Sequence, residues 1–266
     1  LRAGAIGTLR EAHVFVNVIY TAAGRPQETP PVPANLNWDL WLGPAAERPY
    51  SPAYHPIWWR KYWAFGGGGL GDMGCHHFDL SHWALDLKAP TTVEAEGPAP
   101  DPEGTPEWMI VRYEYPGRGK QSPLKLTWYH GKRDGEQVRP PHFKEGLLPD
   151  NWRSGSLFIG DKGMLLADYS RHLLLPEDKF KDYSRPAPSI PKSAGHHAEW
   201  VQACKTGSPT TCDFAYSGAL TEAVLLGNVA YRVGKKLQWD AAAMKATNSR
   251  EAEQYIHHKY RRGWSI

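Results

Sequence analysis

"FGGGGLGDMGCHHFDLSHW", residues 65–83, decides how the rest of this chain is read. Gly66, Gly68 and Gly71 spell G-x-G-x-x-G, the spacing that lets a backbone approach a dinucleotide pyrophosphate. A helical pattern follows, and Glu94 lies near where a ribose-binding acid belongs, about 20 residues on. Three features oppose a nucleotide site. A buried apolar strand should run into the first glycine, yet "WWRKYWAF" (58–65) brings Arg60 and Lys61. Asp72 follows the last glycine directly, and a carboxylate in the first helical turn repels the phosphate that a helix N-terminus attracts. Beyond the helix the chain turns to antiparallel strands instead of further βαβ units. The run therefore reads as a lead-in to a helix over 72–87, ended by Lys88 and Pro90, whose glycines let a substrate approach the backbone.

In that reading Asp72 and His76 carry the chemistry. Their i, i+4 spacing projects both from one helix face. Imidazole is the side chain best suited to proton transfer near neutral pH, and a carboxylate beside it orients the ring. A structural reading stands next to this one: Asp72 stabilises the helix dipole and His76 is a satisfied core residue. His77 and His82 read as framework or surface residues, and Asp79 is placed to orient a neighbouring histidine.

Twelve Trp and thirteen Tyr stand out, clustered in segments such as "NWDLWLGP" (37–44) and "PIWWRKYW" (56–63). Flat apolar rings with a polar edge suit the CH-rich faces of sugars, so Trp38, Trp41 and Trp59 are candidate stacking platforms. Asp39 between two of them is a candidate partner for sugar hydroxyls, or a simple turn residue. "GHHAEW" (195–200) adds His196 and His197 as candidate pocket residues. With Asp72 and His76 these histidines raise the thought of a metal site, but no ligand spacing supports one. Cys75, Cys204 and Cys212 form no CxxC pair and read as free thiols. A net charge of +3 with 22% charged residues points to neither nucleic acid nor an anionic membrane, and no run of about 18 apolar residues is present.

Residues 11–20 alternate and read as a strand, and strand-like pieces follow at 91–97, 107–115, 124–130, 156–160, 163–168 and 172–176, with "GDKG" turning a hairpin. Helices follow at 193–207, capped by Ser193 and closed by Gly207, at 216–234, and as a short tail behind the Asn-Ser of 248–249. Strands followed by helices predict an α+β fold: a large, mostly antiparallel open sheet of about six to eight strands with helices on one face. The helices are few for so large a sheet, so its other face is expected to make a homo-oligomer, most simply a two-fold dimer.

"GGGGLGDMGCHHFDLSHWAL" resembles the G-G-G-x-L-x-D-x-G-x-H-x-x-D-x-x-x-W segment of the Gfo/Idh/MocA oxidoreductases, the glucose–fructose oxidoreductase and inositol dehydrogenase family. "LNWDLWLGPA", "SLFIGDKGML", "SAGHHAEWVQACKTG", "TEAVLLGNVAYRVGKKLQWD" and "YRRGW" extend the likeness along the chain. The resemblance implies a C-terminal substrate domain over 11–266, with 1–10 left from the junction to a missing Rossmann domain. It implies that Asp72 and His76 are the substrate-side catalytic pair for a sugar or cyclitol. The family's cofactor fingerprint and its Glu-Lys-Pro lysine belong to the Rossmann half, and no Glu-Lys-Pro occurs here. NAD or NADP is therefore expected only when a Rossmann domain, in the same polypeptide or on a separate chain, is joined to this one. Other readings are a free-standing carbohydrate-binding protein, a non-redox lyase or isomerase, and a purely structural subunit.

Overall fold

A computed structural model describes residues 1–119 and 121–264. All seven segments read as strands become strands, β3 with a period of two along its whole length and β6 to β8 as short apolar runs. They are β1 (Leu9–Val16), β2 (Thr92–Glu96), β3 (Trp108–Tyr115), β4 (Leu124–Arg133), β6 (Gly155–Gly160), β7 (Gly163–Ala167) and β8 (His172–Leu175). Three short strands join them: β5 (Glu136–Gln137), β9 (Leu237–Asp240) and β10 (Lys245–Ala246). The result is one ten-stranded sheet in the order β10-β9-β2-β3-β4-β1-β6-β7-β8, with β5 paired to β4. Every pairing is antiparallel except β1 with β4, where the first strand is inserted mid-sheet.

Among the described residues the α-helices are α1 (Trp38–Leu42), α2 (Gly68–Leu85), α3 (His196–Thr206), α4 (Phe214–Val233) and α5 (Glu253–Ile256). The sheet face formed by Val14, Val111, Tyr113, Leu126 and Trp128 is covered by α2 and α4, which bring Leu70, Phe78, Val224 and Leu226. On the opposite face Phe15, Tyr129, Leu157 and Leu166 are capped by Val138, Phe143, Leu148 and Trp152 from the β5–β6 connection. Trp108, Ile110, Ile159, Met164 and Leu173 stay partly buried there.

The structure corrects the helix boundaries. α2 starts at Gly68, a turn before Asp72, so its first turn holds no acid and Asp72 lies in the second turn. Neither the dipole role for Asp72 nor its seat at an anion position survives that shift. The glycines carry the helix despite costing about 1 kcal/mol each against alanine, because neighbours press on their bare Cα atoms. A Cβ on Gly68 would meet Thr105 at 2.7 Å, one on Gly69 the His130 ring at 2.6 Å, and one on Gly74 the Val224 side chain at 2.5 Å. The run serves helix packing more than substrate access. α2 closes at Asp86, in the left-handed region, ahead of Lys88 and Pro90. Gly195, not Ser193, is the N-cap of α3, while Gly207 closes it as expected. Asp213 caps α4 through the Tyr216 amide at 2.8 Å. The tail is a 3-10 turn, Arg250–Ala252, running into the single turn α5, with no side-chain cap from Ser249. The three cysteines are free, and no helix among the described residues is long and apolar enough to cross a membrane.

Candidate functional site

The N-terminal half of α2, the loop before it and the far half of α4 enclose a cleft of about 530 Å³. Asp72 stands on the α2 wall and Arg60, from the 3-10 turn Trp58–Lys61, faces it. Arg60 Nε donates to Asp72 Oδ1 at 2.7 Å and Nη1 donates to the Ile57 carbonyl at 3.2 Å. The Arg60 guanidinium also lies 4.5 Å from the centre of the Trp59 ring. A partly buried, charge-assisted pair of this length fixes one carboxylate oxygen. Oδ2 of Asp72 has no protein partner among the described residues.

Asn228 and Arg232 supply the α4 wall. Asn228 is buried on an otherwise apolar helix face, and its Nδ2 donates to the Gly67 carbonyl at 3.0 Å, while Oδ1 has no partner. The hydrogen bond ties the two helices together where Gly67 leaves room: a Cβ there would meet Nδ2 at 2.7 Å. Arg232 stacks over Trp63 at 5.0 Å and over Tyr255 at 4.0 Å. Burial lowers its pKa, and the nearby Tyr255 opposes that shift. Trp59, Phe65 and His258 complete the rim.

An adjoining recess of about 340 Å³ shares Trp59, Ala64, Phe65 and His258 with the cleft and adds Trp41. Trp59 therefore stands between the two hollows. Trp38 lies behind Trp41, stacked on it at 4.7 Å with its indole N–H on the Arg48 carbonyl at 2.8 Å, and lines neither hollow. Asp39 is exposed and paired with Arg261, which also donates to the Gly43 carbonyl at 3.0 Å; this latch holds the C-terminal segment to α1.

The other candidates are placed elsewhere. His76 is exposed one turn beyond Asp72, outside the cleft lining, and makes no hydrogen bond to Asp72 among the described residues. Arg60, not His76, holds Asp72. Asp79 accepts from the Tyr216 hydroxyl at 2.5 Å and orients that ring rather than a histidine. Burial and this carboxylate hold the Tyr216 hydroxyl well above its ordinary pKa. His77 and His82 are buried framework, as read. His196 and His197 lie edge to face at 4.2 Å on exposed α3 and line none of these hollows, while Glu199 is spent on Thr211. Among the described residues no group of three His, Cys, Asp or Glu side chains is arranged to hold a metal. A further hollow of about 300 Å³ lies against the far end of α2, lined by Arg2, Gly7, Ala84 and Arg118, and holds none of the sequence candidates.

Sequence reasoning missed Arg60, Asn228 and Arg232. Arg60 counted only as evidence against a nucleotide strand. Asn228 carried a usable signal, since an amide amid Val224, Leu226 and Val229 of a long helix needs a buried partner. Arg232 carried none.

The glycine run does not fit a nicotinamide dinucleotide. A Cβ on Gly66 would meet the Arg60 backbone at 2.7 Å, and those on Gly68 and Gly69 meet Thr105 and His130, so these three glycines are pressed against protein, while Gly66, Gly67 and Gly71 edge the cleft.

Residues 13–122 match the family model described as "Oxidoreductase family, C-terminal alpha/beta domain". Among solved structures the chain is similar to an NAD-binding protein from Listeria innocua, at 13% identity over 97% of this chain and 59% of that one, TM-score 0.52. It is also similar to the WlbA dehydrogenase from Bordetella pertussis, in complex with NADH and UDP-GlcNAcA, at 14% identity over 90% and 57%, TM-score 0.49. A myo-inositol dehydrogenase from Corynebacterium glutamicum matches at 15% identity over 90% and 59%, TM-score 0.43. At such identities the likeness concerns the fold alone. The chain spans about three fifths of the length of these structures. No curated protein sequence matches it.

Proposed function

We propose that this chain, whose residues 13–122 match the C-terminal alpha/beta domain of the Gfo/Idh/MocA oxidoreductase family, is the substrate domain of a nicotinamide-dependent oxidoreductase acting on a sugar or cyclitol. The observation that carries the reading is the Arg60–Asp72 pair inside a cleft walled by Trp59, Trp63 and Phe65. Aromatic faces give a pyranose or cyclitol ring apolar contact, and the cleft volume suits a ligand of that size. Asp72, with Oδ1 fixed by Arg60, presents Oδ2 to a substrate hydroxyl. His76, exposed on the next turn of the same helix and outside the cleft lining, takes up the proton which that hydroxyl loses on oxidation by relay from Asp72 and not by direct contact. A nicotinamide would be held by a separate nucleotide-binding domain, in the same polypeptide or on another chain.

The cleft is built wholly within the chain, so sugar binding requires no second domain. Calorimetry of the 266-residue chain should give saturable heat with hexoses or cyclitols. Asp72→Asn should weaken the binding about 10-fold, the usual worth of a hydrogen bond to a charged group. Titration with NAD or NADP should give none. Micromolar NAD binding, or sugar binding indifferent to Asp72, would contradict the proposal.

A further inference from the structure

Charge within the cleft does not balance. Arg60 and Asp72 neutralise each other at 2.7 Å, and the remaining ionisable groups on its walls are Arg232, Tyr255 and His258. Among the described residues no carboxylate lies within ion-pair reach of Arg232 and none of its N–H groups bonds to protein. Its partners are the ring faces of Trp63 and Tyr255. Cation–π stacking holds a guanidinium in place without using the in-plane N–H groups, which form the fork that recognises carboxylate or phosphate. A half-buried guanidinium without an anion is costly, so such a group is well explained by an anion that arrives with the ligand.

The spacing along α4 fits a single small molecule. Arg232 follows Asn228 by one turn, about 6 Å along one helix face, and Asn228 is tied to the Gly67 carbonyl at the start of α2. One wall thus presents a cation and an amide, and the facing wall presents the free oxygen of Asp72. We infer that the ligand of this cleft is an anionic sugar, whose carboxylate or phosphate pairs with Arg232 while its hydroxyls meet Asp72 and its ring lies against Trp59 and Trp63. The inference rests on the carbohydrate reading above and adds the charge of the substrate. It also gives Arg232 the role of selecting acidic over neutral sugars.

Calorimetry with three probes tests it: glucose, glucuronate and glucose 6-phosphate, at low ionic strength. At least one acidic probe should bind 10-fold or more tightly than glucose, and which one gains tells carboxylate from phosphate. Arg232→Gln should abolish that preference, bringing the acidic probes down to the affinity of glucose for the same variant. Arg232→Lys, which keeps the charge but loses the fork, should restore part of it. Near-ultraviolet circular dichroism of both variants checks that the Trp63 and Tyr255 packing persists. Glucose binding as tightly as both acids overturns the inference and leaves the carbohydrate reading standing. Equal loss of all three probes in Arg232→Gln assigns Arg232 a structural role and overturns it likewise. No binding of any probe overturns both.

Discussion

Replacing His76 by Ala should lower turnover by ~10²–10⁴-fold, the usual worth of a positioned acid–base group, once a nicotinamide-binding domain is present. Folding should be almost untouched. His76 is exposed, and an exposed side chain outside the core changes stability by about 0.5 kcal/mol or less on truncation. Asp72→Asn should be equally harmful to turnover but less benign for the fold, because it leaves Arg60 without its anion. The pair of variants separates chemistry from structure. Steady-state kinetics of NADH production, with urea unfolding of the same samples, gives both numbers. Near-normal turnover in a poorly folded His76→Ala protein would return this residue to a structural role.

Acidification from pH 7 to 4 should unfold the protein. Burial holds four histidines neutral: His13, His77 and His82 are pushed down to about 4, and His130 to about 3. Neighbouring charge adds to burial for three of them: His142 beside His13, His76 beside His77, and Arg118 with Lys88 near His82. In the unfolded chain a histidine titrates near 6.5, so above that pH both states are neutral and these residues cost nothing. Between about 6.5 and 4 only the unfolded state takes up protons, and stability falls by ~1.4 kcal/mol per pH unit for each histidine. Four together approach ~5 kcal/mol per unit, comparable with the whole stability of an ordinary domain. His130 adds a specific loss, since its Nδ1 accepts from the Trp128 indole at 2.7 Å and cannot do so once protonated. The carboxylates titrate lower. Asp168, where burial is outweighed by Arg171 and by the Ser170 and Arg171 amides, is pushed down to about 2, so its contribution disappears only in stronger acid. Urea unfolding from pH 8 to pH 4.5 should show a steep loss beginning just below neutrality. Equal stability at pH 7 and pH 5 would contradict the assignment of these four residues as buried and neutral.

Much of the sheet was legible because β3 alternates over its whole length and β1 and β4 over part of theirs, while β6 is a short apolar run between glycines. β9 hid because "LQWD" is too short to show one, and β5 and β10 are two-residue strands created by their partners. The start of α2 was not legible: glycines are poor helix formers, and Thr105, His130 and Val224 are the reason they are helical here. In the cleft, Asp72 and Trp59 were found from sequence, one by helical spacing and one by aromatic clustering. Arg60 was not, since it reaches Asp72 through an irregular loop that leaves no periodic trace. His196 and His197 drew notice as a histidine pair, but only the tertiary arrangement reveals that α3 buries no residue and lies away from the cleft lining.

The central claim is that the cleft of Arg60 and Asp72 is where a sugar binds. The most direct measurement is a two-dimensional NMR titration of the isotopically labelled chain with a binding sugar, following backbone amides and tryptophan indoles. The largest changes should fall on the Trp59 and Trp63 indoles and on the amides of Gly66, Gly67, Gly71 and Asp72. Changes confined to α3 around His196 and His197, or to the hollow beside Arg2 and Arg118, would contradict it.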